Sequence, residues 1–398
     1  MQYFKHLFSD KTLLFDKNIL SLNEYISNFE KININIACLD SVLNSHVPTM
    51  INSNASKLNS NILNTSTSQS NISNLNSNSS TLQLSQSTIN PKIITVGDIH
   101  GSFLQAILPL IIGKYIKNVE ITNDNINFDF EMNLNINLKP KIIYIGDIFD
   151  RAYHNKYYLI TNLLIKVIKK YPDKIIWCYG NHDINKYLEL LNEMDLTEDE
   201  SNFYSFSFSN MKTVYYDKTL NLIFSHTLIK HKDFKSISTG NIEDLCLFSS
   251  FSSSYEFSSS YETNKIENEI EEFNNNIRFL INQKSISERI ESKCFELRYE
   301  DIDDLSKVFY NNINHVIGHD VVDEDEYIVN ISNEENNEDL NENNNENNNE
   351  IKIIFTDFGS ICKKNSYFEM PKFVLFSLNS ENKLTIELLK YDSLKNKN

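Results

Sequence analysis

The chain lacks the marks of several protein classes. No apolar run approaches the roughly 18 residues of a membrane span. Within residues 1–45, Phe4, Leu7, Phe8, Leu13, Leu14 and Phe15 are interrupted by Lys5, His6, Asp10, Lys11, Asp16 and Lys17, so no signal-peptide core forms. There is no glycine at position 2 for myristoylation and no terminal prenylation motif. Cysteine is sparse, with 5 residues and no CxxC pair, which excludes a disulfide framework and fits a reducing compartment. A cytoplasmic protein without a membrane span is the expectation. Basic clusters are also missing from a chain of net charge −17, which argues against a nucleic-acid partner. Glycine is scarce, at 8 residues in 398.

Serine and asparagine, by contrast, are abundant and concentrated. Residues 51–90 hold 22 Ser or Asn in 40, and 331–350 hold ten Asn and seven acidic residues in 20. Neither segment can bury enough apolar area to offset chain entropy. The second contributes −7 of the −17. In composition these tracts resemble those of malaria-parasite proteins.

Three short blocks each end a run of β-branched residues. Ile93-Ile94-Thr95-Val96 leads into Gly97-Asp98-Ile99-His100-Gly101. Ile142-Ile143-Tyr144-Ile145 leads into Gly146-Asp147-Ile148-Phe149-Asp150-Arg151. Ile175-Ile176-Trp177-Cys178-Tyr179 leads into Gly180-Asn181-His182-Asp183. Short, continuously apolar runs suit strands covered on both faces. A glycine at the strand end permits a sharp turn, and the next side chain projects from the carboxyl edge, where α/β sheets bind ligands.

GDIHG, GDIFDR and GNHD, in this order, resemble the calcineurin-like metallophosphoesterases. Two later elements, Phe224-Ser225-His226-Thr227 and Val316-Ile317-Gly318-His319-Asp320, are similar to the histidine blocks of that family. The resemblance spans roughly residues 91–362. It implies an α/β fold, a two-sheet β-sandwich flanked by helices (αββα), here with disordered insertions. It also implies two metal ions, with Asp98 and His100 on the first, Asn181, His226 and His319 on the second, and Asp147 bridging. Two metals about 3.5–4 Å apart clamp nucleophile and phosphate together. Mixed nitrogen and oxygen ligation suits Mn, Fe or Zn better than Ca or Mg. By the same resemblance Asp150 orients His182, His182 protonates the leaving oxygen, and Arg151 offers a fork of donors to the phosphate. A second phosphate-binding arginine is common in the family, and Arg278, Arg289 and Arg298 all lie in the right interval. Among the other histidines, His231 competes with His226 and His315 with His319. His6, His46 and His154 have no comparable setting.

The implied activity is hydrolysis of phosphomonoesters, foremost on phosphorylated proteins, by in-line attack of a metal-bound hydroxide. Ala152, Asp183 and the closing Phe355-Thr356-Asp357-Phe358-Gly359 turn bring the chain nearer the Shewanella-like, bacterial-type protein phosphatases and the diadenosine tetraphosphate hydrolases. A nucleotide hydrolase would need a base-stacking pocket, which the aromatic insertions could supply. A scaffold that keeps the fold without activity is the non-enzyme alternative.

The expected organisation is an N-terminal extension (1–45), a Ser/Asn-rich linker (46–90) and a catalytic core (91–330) with an insertion at about 232–312. An Asn/Glu-rich insertion (331–350) and C-terminal strands completing the core (351–398) follow. A helix is expected at Tyr157–Lys170. Asn264–Arg289 has amphipathic helical spacing through Ile266, Ile270, Phe273, Ile277, Leu280 and Ile281. The alternation Phe203-Tyr204-Ser205-Phe206-Ser207-Phe208 predicts a strand, and the Ser/aromatic repeat at 248–261 a loose insertion.

Overall fold

The computed structural model describes residues 91–121, 125–132, 135–150, 154–239, 263–302, 305–310, 312–331, 351–359 and 371–389. Residues 1–90, 248–261 and 332–350 lie outside these, and so does Arg151. No helix of the described residues is long and apolar enough to cross a membrane.

Two five-stranded sheets face each other. The first runs in the order β12 (Leu384–Leu389), β11 (Phe373–Leu378), β1 (Lys92–Val96), β4 (Lys141–Tyr144), β5 (Ile175–Trp177). The second runs β6 (Val214–Asp217), β7 (Leu222–Ser225), β8 (Asn314–Ile317), β10 (Ile351–Phe355), β9 (Ile328–Ile331). A separate hairpin joins β2 (Ile116–Ile121) to β3 (Ile126–Phe130). Each large sheet has a parallel triplet at its heart. Thr95 pairs with Ile143 and Ile143 with Ile176 in one; Ile223 pairs with His315 and His315 with Ile353 in the other.

The apolar runs are continuous because both faces of these strands are covered. Ile93, Ile143, Ile145, Ile176, Phe224, Val316 and Ile354 meet between the sheets. Alternate residues turn outward: Tyr144 reaches α1 (Phe103–Ile112), where its hydroxyl donates to the Ala106 carbonyl at 2.7 Å. Helix α2 (His154–Lys170) covers the expected helical stretch and starts three residues earlier. Helix α3 (Asn181–Leu191) begins at the third block. At the end of the sandwich remote from the blocks, Lys141 of β4 ion-pairs with Asp217 of β6 at 2.5 Å, tying one sheet to the other.

The strand expected at 203–208 is instead part of helix α4 (Glu198–Asn210). A capping box starts it: the Thr197 hydroxyl accepts from the Glu200 amide and the Glu200 carboxylate accepts from the Thr197 amide. Glu198, Asp199 and Glu200 also suit the positive end of the helix. Phe203, Phe206 and Ser207 then fall on one buried stripe, while Phe208 is exposed. The alternating aromatics Tyr204, Phe206 and Phe208 suit a strand and the set Phe203, Phe206 and Ser207 suits a helix, and the cap decides between them.

The amphipathic stretch at 264–289 forms two helices, α6 (Thr263–Ile281) and α7 (Lys284–Cys294), following α5 (His231–Ser238). All six spaced apolar residues are buried. Helix α6 also closes the edge of the second sheet. The Asn274 side chain accepts from the Thr213 and Val214 amides at 2.7 and 3.1 Å and donates to the Val214 carbonyl at 2.8 Å. An edge satisfied this way cannot recruit another strand.

His315 of β8 is buried against Phe309, with Nε2 facing the Tyr310 carbonyl at 3.3 Å and no partner for Nδ1. Burial pushes its imidazole down to about 4. A folded-state value below the unfolded one means the contribution is complete above about pH 6.5 and is lost as pH falls toward 4. The loss amounts to roughly 3 kcal/mol. His315→Phe should therefore flatten the stability profile between pH 7 and 4.5 by about 2–3 kcal/mol in urea unfolding. An unchanged slope would assign the acid sensitivity to other groups.

Candidate metal centre

Six strands deliver side chains to one place. The turns after β1, β4 and β5 carry Asp98, Asp147 and Asn181; those after β7, β8 and β10 carry His226, His319 and Asp357. Tight crossings bring the turns together. A Cβ at Gly97 would lie 2.2 Å from the Thr356 carbonyl oxygen. Gly146 has φ +91, and a Cβ there would lie 2.4 Å from the Gly180 nitrogen. The first two blocks are joined backbone to backbone: the Ile99 and His100 amides donate to the Asp147 carbonyl at 3.1 and 2.6 Å, and Gly101 to Ile148 at 2.9 Å.

His100, Asp147, Asp150 and His319 all have left-handed backbones, at φ 43, 49, 70 and 63. Such conformations cost non-glycine residues on the order of 1 kcal/mol or more and concentrate at functional sites. Asp183 holds two of the turns in place. Its buried carboxylate accepts from the Ile148 amide at 2.8 Å, the Gly180 amide at 3.1 Å and Trp177 Nε1 at 3.1 Å. Burial, with Asp147 nearby, raises this carboxyl to about 7. Behind the second block, Phe149 packs on Tyr157, Tyr158 and Phe203 at ring separations of 4.8, 5.7 and 4.6 Å.

The ligand-type atoms form two groups that share Asp147: His100 with Asp147 and His182, and Asp147 with His226 and His319. Asp147 Oδ2 is 3.8 Å from His100 Nε2, 3.5 Å from His226 Nε2 and 3.9 Å from His182 Nε2. Asp98 Oδ2 lies 3.7 Å from His100 Nε2. Asn181 Oδ1 and His319 Nδ1 each lie 3.1 Å from His226 Nε2. His100 and His226 both turn Nδ1 to a backbone carbonyl, of Phe149 at 3.1 Å and Ile145 at 2.8 Å. A carbonyl only accepts, so both Nε2 atoms are left facing the centre, the arrangement usual for metal-binding histidines.

Charge in the pocket follows from burial. Burial alone would lower His226, but Asp147 and Asp98 outweigh it and raise the imidazole to about 10. Burial, then His226 and Arg298, pushes His319 down to about 3. Burial also acts to raise Asp147, yet His226, His100 and His182 hold it below the usual carboxylate range. Asp98 is raised by burial, then by Asp357. A cation among these carboxylates, neutral imidazoles and an amide oxygen would displace the His226 proton. The donor set therefore fits a metal with mixed nitrogen and oxygen preference.

His182, the second residue of α3, turns Nδ1 to Asp150 Oδ2 at 3.3 Å. Asp150 itself is 56% exposed, at the mouth of the centre. Of the three candidate arginines, Arg298 comes beside His319, bonding Asp320 Oδ1 at 3.0 Å. Arg278 turns instead to the Ser209 carbonyl, and the Arg289 side chain lies outside the described ones. His231 opens α5 and His315 faces the helices, so neither joins the convergent atoms. Two participants had no role assigned from sequence. Asp183 was visible only as the end of the third block. Asp357, hydrogen-bonded to Asp98, stood in the sequence only as part of the closing turn at 355–359.

The family pattern described as calcineurin-like phosphoesterase matches residues 91–371, well over half of the chain. No curated protein matches it. Among solved structures, a cold-active protein tyrosine phosphatase is 13% identical, with 76% of this chain and 80% of that one covered at a TM-score of 0.40. A cold-active protein-tyrosine phosphatase of a psychrophilic Shewanella species is also 13% identical, with 75% and 80% covered at 0.36. A protein serine/threonine phosphatase from Saccharomyces cerevisiae, with similarity to human phosphatase PP5, is 13% identical, with 77% and 82% covered at 0.38. The chain belongs to the calcineurin-like phosphoesterase family, hydrolases of phosphoric esters.

Proposed function

We propose that the protein is a binuclear-metal phosphomonoesterase acting on phosphorylated proteins. The observation that supports this most is the single carboxylate of Asp147 standing in both ligand groups. Asp98, His100 and Asp147 would hold one ion; Asp147, Asn181, His226 and His319 would hold the other. Bound metals supply Lewis acidity toward the phosphoryl oxygens and lower the pKa of attacking water. The protein's own groups then orient and protonate. Asp150 fixes the His182 ring through Nδ1, which aims Nε2 inward to donate a proton to the departing alkoxide. Arg298, anchored by Asp320, offers its remaining N–H donors to a phosphate beside His319. The N-terminus of α3 adds a positive dipole at the same point.

Phe203 and Phe206 are spent on core packing and offer no face to a base, so a dinucleoside polyphosphate would have to stack on other aromatics. An activity panel with added Mn, Fe or Zn tests this. Phosphoserine and phosphothreonine peptides, phosphotyrosine peptides and diadenosine tetraphosphate would be compared by kcat/KM. Phosphopeptides should lead by at least tenfold. A lead for the dinucleotide would replace the reading with a nucleotide hydrolase, and no turnover with any metal would leave the inactive scaffold.

A further inference from the structure

Helix α7 ends against both histidine turns of the second ion position. Thr227, next to His226 and 1% exposed, donates its hydroxyl to the carbonyl of Cys294 at 3.0 Å. Cys294 is the last residue of α7, and terminal helix carbonyls have no partner within the helix. On the other side of His226, the Ser225 hydroxyl donates to the Thr227 carbonyl at 2.7 Å. Four residues beyond Cys294, Arg298 bonds Asp320 Oδ1 at 3.0 Å, and the Tyr299 amide bonds Asp320 Oδ2 at 2.8 Å. Asp320 directly follows His319, and the Gly318 amide donates to the His226 carbonyl at 3.1 Å. One short segment, Cys294–Tyr299, thus straps both turns.

The strap is stiffly mounted. Lys293 pairs with the buried Asp233 of α5 at 2.9 Å. Phe234 of α5 stacks on Phe273 of α6 at 4.5 Å and on Phe309 at 4.6 Å. Cys294 and Phe295 are fully buried.

We propose that Thr227 is a positioning residue through which the end of helix α7 sets the His226 imidazole at the second ion position. The inference rests on the two-ion reading above. It concerns a residue that need not touch ion or substrate. Its hydroxyl fixes the turn, the turn fixes Nδ1 on the Ile145 carbonyl, and Nε2 is thereby aimed at Asn181 and His319. The direct outer partner of His226 is the Ile145 carbonyl, and such partners are worth about 10–100-fold in affinity; Thr227 acts one bond further out, so its loss should cost less, about 3–10-fold.

Co2+ binding to the whole protein, followed by calorimetry and visible absorption, tests the role. Wild type should bind two ions. Thr227→Val should weaken one of the two by about 3–10-fold and leave the other within about twofold. Thr227→Ser keeps the hydroxyl and should restore both. Ser225→Ala, which loosens the same turn from its other side, should weaken the same ion less and serves if Thr227→Val does not fold. Steady-state rates should fall in kcat more than they rise in KM. Unchanged affinities in Thr227→Val, or equal weakening of both ions, would overturn the proposal and leave Thr227 a packing residue. A wild-type protein that binds a single ion would overturn the two-ion reading itself, an outcome separate from either.

Discussion

Asp147→Asn should strip metal from both positions and reduce phosphoester hydrolysis by about a thousandfold or more. The side chain is 2% exposed, and its Oδ2 lies within 3.9 Å of His100, His182 and His226. Asparagine keeps the shape and can retain the oxygen that accepts from the His182 amide at 3.0 Å. The change therefore removes a charge and one metal-facing oxygen while the turn stays in place. Metal stabilisation of the transferring group is worth several kcal/mol, and about 4 kcal/mol corresponds to a thousandfold in rate. Metal content by atomic emission and turnover on a phosphopeptide would be measured together. Two equivalents of metal with near-normal turnover would defeat the bridging role.

His182→Ala should leave metal content near that of wild type and slow hydrolysis by about 10²–10⁴-fold for poor leaving groups. Alkyl phosphates such as phosphoserine need a proton on the departing oxygen, whereas a nitrophenolate leaves without one. A Brønsted plot against leaving-group pKa should be steeper for the variant. The geometry sharpens the test, because His182 Nε2 also lies within 3.9 Å of Asp147 Oδ2, as the Nε2 atoms of His100 and His226 do. If His182→Ala loses metal, and if its losses are equal across leaving groups, the residue is a ligand and another group is the acid. The contact between Nδ1 and Asp150 at 3.3 Å orients the ring for either role, so metal content together with the leaving-group slope decides between them.

Much of the centre was legible because buried parallel strands write themselves as apolar runs, and after β1, β4, β5 and β8 a glycine leads into a metal-ligand type of residue. Asp98, His100, Asp147, Asn181, His226 and His319 converge beyond the ends of those runs. The choice of arginine was not legible. It depends on how α6 and α7 lie: that placement sends Arg278 to Ser209 and Arg298 to Asp320. Nor was the bond from Thr227 to Cys294, which closes 67 positions of sequence through an insertion. The strand reading of α4 followed Tyr204, Phe206 and Phe208, which alternate with serine, whereas the buried face is Phe203, Phe206 and Ser207 at helical spacing. The Asp98–Asp357 contact was hidden for a different reason: it joins the first and the last strand-end acids across the two sheets.

The Asp98 carboxylate accepts from the His319 amide across 221 positions of sequence. Contacts of that separation close late and slowly when a chain folds. Both sheets must already have docked before the ligand set exists, so a partly folded chain has little to offer a cation. An ion that binds the finished arrangement alone shifts the folding equilibrium by RT ln(1 + [M]/Kd), about 4 kcal/mol at a thousandfold excess over Kd. Stability then becomes a function of metal supply. If two ions bind as proposed, they would also act as a clasp between the sheets, at the end opposite the Lys141–Asp217 pair.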